Sequence, residues 1–328
     1  MSNARKFLTW TFLAIAANFV CATPVLAADS HKAVHLKVGY ASITGNRIPL
    51  WTTHDREFFA RHGLETELIF IASSSQGIPA LIAGEMPIFS GSPETAAQAA
   101  ANGVDLVIIA SSEPTQYKLI VQPGIKTSAD LKGKKIGSDR VGGSSYYATR
   151  RMLEKLGLRL EDVELVQVPG GGNQRVAAFR SGILSAVVST IERFERAGIP
   201  YHVLADAIEM GIRSIGSSYV TTRSFRDRNR DTVQRFIRAL VEGTEWVKNA
   251  KNRASVLQVI SRRLRTDDPA VLDLNYRMYV DPLSPFPYTN LEDLRKNLAD
   301  LAEGNPRVRD LNLATFVDNS FIQRLEKR

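Results

Sequence analysis

The sequence predicts an α/β protein in which one doubly wound, mostly parallel sheet design is used twice, in two similar lobes. Three observations predict this fold class. Short strand-like segments alternate with helical segments from about residue 35 to residue 190, as in βαβ units. Most of the helical segments end at a glycine, as helices commonly do. Finally, SQGIPALIAGEMPIF, which starts at Ser75, is similar to NQRVAAFRSGILSAV, which starts 98 positions later at Asn173.

The first part of the chain predicts four strands separated by three helices. The apolar runs before Gly39 and Gly91 are typical of buried strands. The helical segments carry apolar residues at helical spacing, for example Leu50, Trp51 and Phe58. The predicted strands cover residues 35–40, 65–72, 86–91 and 105–111, and the predicted helices cover residues 47–61, 73–84 and 93–103.

The second part repeats this alternation and then becomes helical. A short helix from residue 128 precedes a strand that ends at residue 138. Further strands are predicted over residues 163–169, 184–190 and 217–222, and helices over residues 144–157, 173–182, 231–248, 252–264, 268–279 and 290–303. Thr289 is the expected N-cap of the last helix and Gly304 its end. Three prolines within residues 281–288 predict a loop.

Two segments, residues 117–124 and about 213–219, are the predicted crossings between the lobes. Lobe one then comprises residues 31–123 together with residues 214–328, which add the C-terminal helices, and lobe two comprises residues 124–213. A cleft between two lobes is a common place for a small-molecule site.

The first 27 residues have the layout of a secretory signal peptide. Arg5 and Lys6 precede an apolar stretch over residues 7–20, and the tripeptide VLA predicts cleavage near Ala27. A membrane anchor is the alternative, but the unbroken apolar stretch is shorter than the ~20 residues that a span needs. We therefore expect the mature protein in the periplasm. Cys21 is the only cysteine, so the mature chain would have no disulfide and no thiolate metal site.

Composition argues against several classes of function. The formal charge of +8 is a mild excess, and the densest basic segment, residues 223–238, alternates with acids. This pattern favours a solvated helix face, so no nucleic-acid partner is expected. The five histidines have no metal-ligand spacing, and the G-x-S-x-G, Walker and dinucleotide motifs are missing. We expect no metal, no cofactor, no catalytic residues and hence no enzyme.

The candidate site is formed by polar helix starts that follow strand ends. Four such starts, near residues 73–76, 92–95, 143–146 and 170–175, offer hydroxyls and free backbone N–H groups to a small anion or polar molecule. Plain helix capping is the alternative. The predicted ligand-binding residues are Tyr40, Ser42, Thr44, Arg47, Ser74, Ser75, Gln76, Ser92, Glu94, Gly143, Ser144, Ser145, Tyr146, Gly172, Asn173, Arg175, Thr190 and Glu192.

Charged and aromatic candidates leave alternatives open. Arg47 and Arg175 could each bind a carboxylate or sulfonate with a forked pair of hydrogen bonds, or lie at the surface. Glu94 and Glu192 could bind an ammonium group, form salt bridges, or act as a pair of catalytic acids, although we favour no catalytic role. Aromatic residues that could stack on a flat ligand or belong to the core are Trp51, Tyr146 and Tyr147.

Several segments resemble a known family. VGYASITGNRIPLW follows the predicted signal peptide, and DLKGKKIG, residues 130–137, precedes a G-S-x-x-Y-x-x-x-x-x-L-x-x-x-G-L run at residues 143–158. Together with VELVQVPGGGNQRVAAFRSG, they resemble the periplasmic substrate-binding proteins of nitrate/sulfonate/taurine-type ABC importers, a family that includes binders of pyrimidine thiamine precursors. The resemblance implies a bilobal type II periplasmic-binding fold, with ligand held by strand-end loops at residues 40–44, 73–76, 91–92 and 143–146.

The chain also departs from the family pattern. Ser185 stands where sulfonate and taurine binders usually have an aspartate, and no proline or tryptophan follows it. A plain taurine site is therefore disfavoured. The cysteine-rich motif and the histidines of the pyrimidine-synthase branch are missing as well.

The resulting expectation is an exported, non-catalytic, monomeric protein that captures a small organic, anionic solute between its lobes. It would deliver this ligand to an ABC permease in the inner membrane, with lobe closure as a shift between populations set by ligand affinity. Alternatives are a sensor that signals ligand occupancy to a membrane receptor, and an enzyme that acts on a small periplasmic metabolite. The sequence does not name the ligand.

Overall fold

The computed structural model describes residues 33–141, 143–168 and 171–327. The predicted signal peptide and its cleavage site lie outside these residues. The described residues belong to one compact unit that begins at Ala33. In this part of the chain, no helix has the length and apolar character needed to cross a membrane.

Ten strands alternate with helices along most of the chain, as predicted. The strands are β1 Val34–Tyr40, β2 Leu64–Phe70, β3 Ile88–Gly91, β4 Leu106–Ser111, β5 Lys118–Val121, β6 Lys135–Ser138, β7 Glu164–Gln167, β8 Ala186–Ser189, β9 His202–Asp206 and β10 Ser218–Thr222.

The α-helices cover both sheets and form the C-terminal third of the chain. They are α1 Ile48–Asp55, α2 Phe58–Arg61, α3 Ser74–Ile82, α4 Pro93–Ala101, α5 Ser144–Lys155, α6 Gly172–Arg180, α7 Glu192–Ala197, α8 Arg223–Arg228, α9 Arg230–Lys248, α10 Arg253–Leu264, α11 Pro269–Tyr279, α12 Leu291–Gly304, α13 Leu313–Phe316 and α14 Ser320–Glu326.

The strands form two five-stranded sheets of the same design. The first has the order β2-β1-β3-β10-β4 and the second the order β7-β6-β8-β5-β9. In each sheet the strand at the second position runs parallel to both of its neighbours. β10 in the first sheet and β5 in the second run antiparallel to both neighbours. The bilobal α/β prediction is confirmed, and the sheets are mixed because each receives one strand directly from a crossing.

The two crossings lie side by side between the sheets. The chain leaves the first sheet after β4, joins the second at β5, and returns between β9 and β10. Thr115 N–H donates to Ser214 O over 3.0 Å between the crossings. A Cβ on Gly216 would lie 2.0 Å from Glu113 O, so a glycine is needed for this close approach. Below, lobe one and lobe two denote the structure packed on the first and second sheet. The predicted residue limits of the lobes, 31–123 with 214–328 and 124–213, remain a prediction.

The core of lobe one is built largely by the long helix α9. Its buried face includes Val233, Phe236, Ile237 and Leu240, as the helical pattern predicted. Phe236 stacks on Phe59 with ring centroids 5.1 Å apart. Trp51 and Tyr147 are also buried, so both belong to the core. Tyr147, from α5, packs in a cluster with α4 and α12 of lobe one.

Local differences from the predicted elements have local causes. The single helix predicted over residues 47–61 is two helices, because Glu57 adopts a left-handed conformation with φ 61°. The N-cap of α12 is Asn290, whose Oδ1 accepts from two backbone N–H groups. Thr289, the predicted cap, instead hydrogen-bonds Ser111 Oγ over 2.8 Å. The sequence patterns did not predict α7, β9, α8, α13 and α14, nor β5, which lies within residues 117–124, predicted as a crossing.

Candidate ligand-binding site

A cavity of about 120 Å³ lies where the carboxyl ends of strands from both sheets face each other. Lobe one contributes the segments that follow β1, β2 and β3, and lobe two those that follow β6 and β8 together with the start of α6. Ligands of open α/β sheets bind at these strand ends. The small volume indicates a compact ligand.

Many of the predicted residues meet in this cavity. Those that line it are Ser42, Thr44, Arg47, Ser74, Ser92, Ser144, Ser145, Gly172, Arg175 and Thr190. They come from six separate stretches of the chain, and the strand-end loops bring them together.

The other predicted residues do not line the cavity, because only one side of a strand end or helix start faces it. Tyr40 packs on Trp51 inside lobe one, with ring centroids 6.3 Å apart. Tyr146 packs on Tyr147 at 5.2 Å. Asn173 accepts a hydrogen bond from Arg193. The remaining predicted residues outside the lining are Ser75, Gln76, Glu94, Gly143 and Glu192.

Sequence reasoning missed several lining residues. Thr115, Tyr117 and Ser217 belong to or adjoin the crossings, and Tyr279 ends α11. Only the tertiary fold brings these to the cavity. Asp139 directly follows β6 and could have been found by the same strand-end reasoning as Ser92. Ser73 and Gly171 also line the cavity and lie within the predicted polar helix starts, and Ala41 and Gly91 lie in loops that only the family resemblance had marked. Further lining residues are Asn46, Ala72, Ser189, Arg193, Ile215 and Gly216.

Arg47 is a fully buried cation held by neutral groups. Its Nε donates to Ser42 Oγ (3.1 Å), Nη1 to Ser90 Oγ (2.5 Å), and Nη2 to Ser90 O (3.2 Å) and Ser217 Oγ (2.6 Å). These contacts fix the guanidinium but do not neutralise it. Burial lowers the pKa of Arg47 to about 10, so the group is still charged at neutral pH. The surface alternative is wrong for this residue.

Arg175 lines the cavity from lobe two and has two buried donors without a partner among the described residues. The residue is 6% exposed, and its buried Nε and Nη1 have no hydrogen-bond partner among the described residues. Asp139 Oδ1 lies 4.0 Å from Nη1, too far for a hydrogen bond. Burial lowers the pKa of Arg175. A buried charged donor without a partner is costly, which indicates that a ligand completes the site.

Two buried glutamates support the hydroxyls of the cavity. Glu94 Oε2 accepts from Ser92 Oγ (2.6 Å), and Glu192 Oε1 accepts from Thr190 Oγ1 (2.7 Å). The two Ser/Thr-x-Glu pairs are 98 positions apart, the same offset as the internal repeat. Burial raises the pKa of Glu94.

Contacts between the lobes surround the cavity. Glu94 Oε2 also accepts from Ser144 Oγ of lobe two over 2.7 Å. On one flank Arg150 and Arg151 of α5 pair with Glu303 and Asp300 of α12.

On another flank the backbones of the two lobes nearly touch. Gly171 has φ +92°, and a Cβ there would lie 3.0 Å from Ala72 O of lobe one. The two lobes therefore enclose the cavity in this conformation.

The chemistry of the lining is that of hydrogen-bond donation and positive charge. The lining contains hydroxyls and three guanidinium groups, which belong to Arg47, Arg175 and Arg193. Asp139 is the one carboxylate in the lining among the described residues. In the same part of the chain no group of three His, Cys, Asp or Glu side chains could hold a metal ion. The arrangement is suited to holding a small anion away from water.

Comparison with known proteins places the chain in a family. Residues 44–254 match the family described as NMT1/THI5 like. A protein of Brucella abortus (strain 2308), named as a candidate binding protein, is 26% identical over 264 residues, which is 78% of this chain and 79% of the relative.

Solved structures share the fold. The alkanesulfonate-binding protein SsuA from Xanthomonas axonopodis pv. citri, bound to MOPS, has a TM-score of 0.72 at 18% identity and covers 88% of this chain and 99% of its own. The periplasmic nitrate-binding protein NrtA from Synechocystis PCC 6803 has a TM-score of 0.75 at 14% identity and covers 90% and 89%. The chain belongs to the NMT1/THI5-like family and has the bilobal fold of periplasmic binding proteins.

Proposed function

We propose that this protein captures a small anionic solute in the cavity between its lobes and delivers it to an ABC permease, without chemical change. The observation that carries the proposal is the unpartnered, nearly buried guanidinium of Arg175, which shares the cavity with the uncompensated charge of Arg47.

The free-energy cost of these charges supports an anionic ligand. Removing an ion from water costs several kcal/mol unless an opposite charge and hydrogen bonds compensate it. Arg47 has hydrogen bonds but only neutral acceptors, and Arg175 has unused donors. A carboxylate, sulfonate or similar group would accept a forked pair of hydrogen bonds from a guanidinium.

The neutral lining supports the same reading. Ser42, Ser74, Ser92 and Ser144 place hydroxyl groups around the cavity, of which those of Ser92 and Ser144 already donate to Glu94. The phenols of Tyr117 and Tyr279 are also present, and burial raises the pKa of both, so they are neutral donors. A site rich in donors favours a ligand rich in acceptors.

The sequence and proteins of the same fold support the proposed export of the protein and the proposed delivery of its ligand to a permease. The predicted signal peptide would direct the chain to the periplasm. Two proteins of the same fold are named as sulfonate- and nitrate-binding, and both of these ligands are anions. Transport, rather than sensing or turnover, is the role that we propose for the bound solute.

A thermal-shift panel on the exported, purified protein tests the proposal. The panel compares alkyl sulfonates, carboxylates and nitrate with neutral pyrimidines and zwitterionic amino acids. A ligand at ~100 times its Kd adds ~2.7 kcal/mol to the free energy of unfolding, so we expect a higher melting temperature with one anion class. Mass spectrometry of the incubated ligand checks for turnover. Stabilisation by neutral compounds alone, or conversion of the ligand, would contradict the proposal.

A further inference from the structure

We infer that the ligand is a compact molecule with two negative charges, one held at Arg47 of lobe one and the other at Arg175 of lobe two. This inference rests on the proposed function and narrows it from small anions in general to dianions.

The lobe-one side of the cavity carries one uncompensated charge. Arg47 is the only charged residue among the described lining residues of that lobe. Its four hydrogen bonds go to serine hydroxyls and one backbone carbonyl, so nothing in contact with it is negative. A ligand group at this end must supply the countercharge.

The lobe-two side also carries one net positive charge. Arg175 and Arg193 line it together with Asp139. Asp139 lies 4.0 Å from Arg175 Nη1 and leaves the Nε and Nη1 donors unpartnered. The guanidinium of Arg175 therefore has hydrogen-bonding capacity that no described residue uses, and a negatively charged ligand group would supply its countercharge.

The buried glutamates nearby do not line the cavity. Glu94 is 1% exposed, and hydroxyls of Ser92 and Ser144 stand against its carboxylate. Glu192 is 2% exposed and lies behind Thr190. Burial raises the pKa of Glu94, which favours its neutral form. Among the described residues that line the cavity, the charged groups are Arg47, Arg175, Arg193 and Asp139.

A ligand with a single negative charge would compensate the buried positive charge of only one lobe. The arginines belong to opposite lobes, so closure around a monoanion would leave the other guanidinium buried without a countercharge, which is unfavourable. A dianion compensates both and links the lobes. A cavity of about 120 Å³ favours compact dianions, such as short dicarboxylates, short sulfocarboxylates or sulfate.

The test compares matched ligands by titration calorimetry. Succinate is compared with its monoamide succinamate, 3-sulfopropionate with propanesulfonate, and sulfate with nitrate. We expect the dianion of at least one pair to bind roughly 10- to 150-fold more tightly, the range for one added hydrogen-bonded charge. A preference confined to sulfate would identify an inorganic dianion, and a preference among the organic pairs a two-acid solute.

Variants separate this inference from the proposed function. Arg175→Met should bind dianion and monoanion with nearly equal affinity, whereas Arg180→Met, an exposed arginine on the same helix, should keep the preference. Arg47→Met, checked for folding by circular dichroism, should likewise bind dianion and monoanion with nearly equal affinity, and an unchanged preference in the folded variant would overturn the role of Arg47.

The outcomes are distinct. Monoanions that bind as tightly as their dianions would overturn this inference and leave the proposed function intact. An unchanged dianion preference in Arg175→Met would overturn the role of that residue in the inference. If no anion binds the wild-type protein at all, the proposed function and the inference both fail.

Discussion

Several charged or acidic side chains around the cavity are buried, although each would be better solvated in water. Arg47 and Arg175 are charged and buried, and Glu94 is a buried acid that accepts hydrogen bonds from both lobes. Because each group is costly to bury, their close placement at one cavity points to a binding role rather than to fold stability.

Glu94 should make stability depend on pH. Burial raises its folded-state pKa above the usual 4.5, so the folded state binds this proton more tightly than the unfolded state. The free energy of unfolding should therefore fall as pH rises from about 4.5 through the raised pKa. The neighbouring titratable and charged groups are Arg151, Tyr117 and Tyr147.

Urea unfolding at a series of pH values measures the predicted pH dependence of the free energy of unfolding. Glu94→Gln should be less sensitive to pH over that window than the wild-type protein. Glu85→Gln, at an exposed position before β3, serves as control and should follow the wild-type curve. Parallel curves for Glu94→Gln and wild type would show that Glu94 titrates normally.

At the scale of elements, the site depends on how closely the strand-end loops of the two lobes approach. The start of α6 meets the loop after β2 at Gly171 and Ala72, and α5 pairs with α12 through charged side chains. Because these contacts join the two lobes, we expect them to respond to closure more than the core of either lobe does.

Gly171→Ala should hinder closure. Gly171 has φ +92°, and the added Cβ would press on Ala72 O. Gly182→Ala is the control for a substitution at positive φ, because it has φ +76° but no atom within 4 Å of the added Cβ. Gly171 has ψ −169°, in a region that essentially only glycine adopts, so the free energy of unfolding of each variant is measured alongside its affinity. Only Gly171→Ala should also lose affinity, roughly 10-fold if its closed population falls to about a tenth.

Small-angle scattering with ligand gives the second readout. The radius of gyration of Gly171→Ala at a saturating ligand concentration should stay larger than that of Gly182→Ala. Equal radii and equal affinities in the two variants would refute the role of this contact in closure.

At the scale of the whole molecule, much of the design could be predicted from the sequence. The alternation of strands and helices predicted two similar lobes, and the repeat that relates Ser75 to Asn173 matches the equal strand order of the two sheets. Strand-end reasoning also found Ser92, Ser144, Arg175 and other lining residues, because local patterns fix where a strand ends.

Other features of the candidate site could not be predicted, because they depend on contacts between distant parts of the chain. Tyr279 reaches the cavity from α11, and Tyr117 and Ser217 reach it from beside the crossings. Nothing in the local sequence distinguishes Arg47 from a surface arginine, since its burial results from Ser90 and Ser217 of other strands and loops closing over it.

The central claim is that a small anion is bound between the lobes by the guanidinium of Arg175. Calorimetric titration of Arg175→Met and of the control Arg180→Met with the anion that most stabilises the wild-type protein tests this most directly. We predict that Arg175→Met weakens binding by about 1.5–3 kcal/mol, the value of a charged hydrogen bond, while Arg180→Met binds like the wild type. Wild-type affinity in a correctly folded Arg175→Met protein would contradict the account.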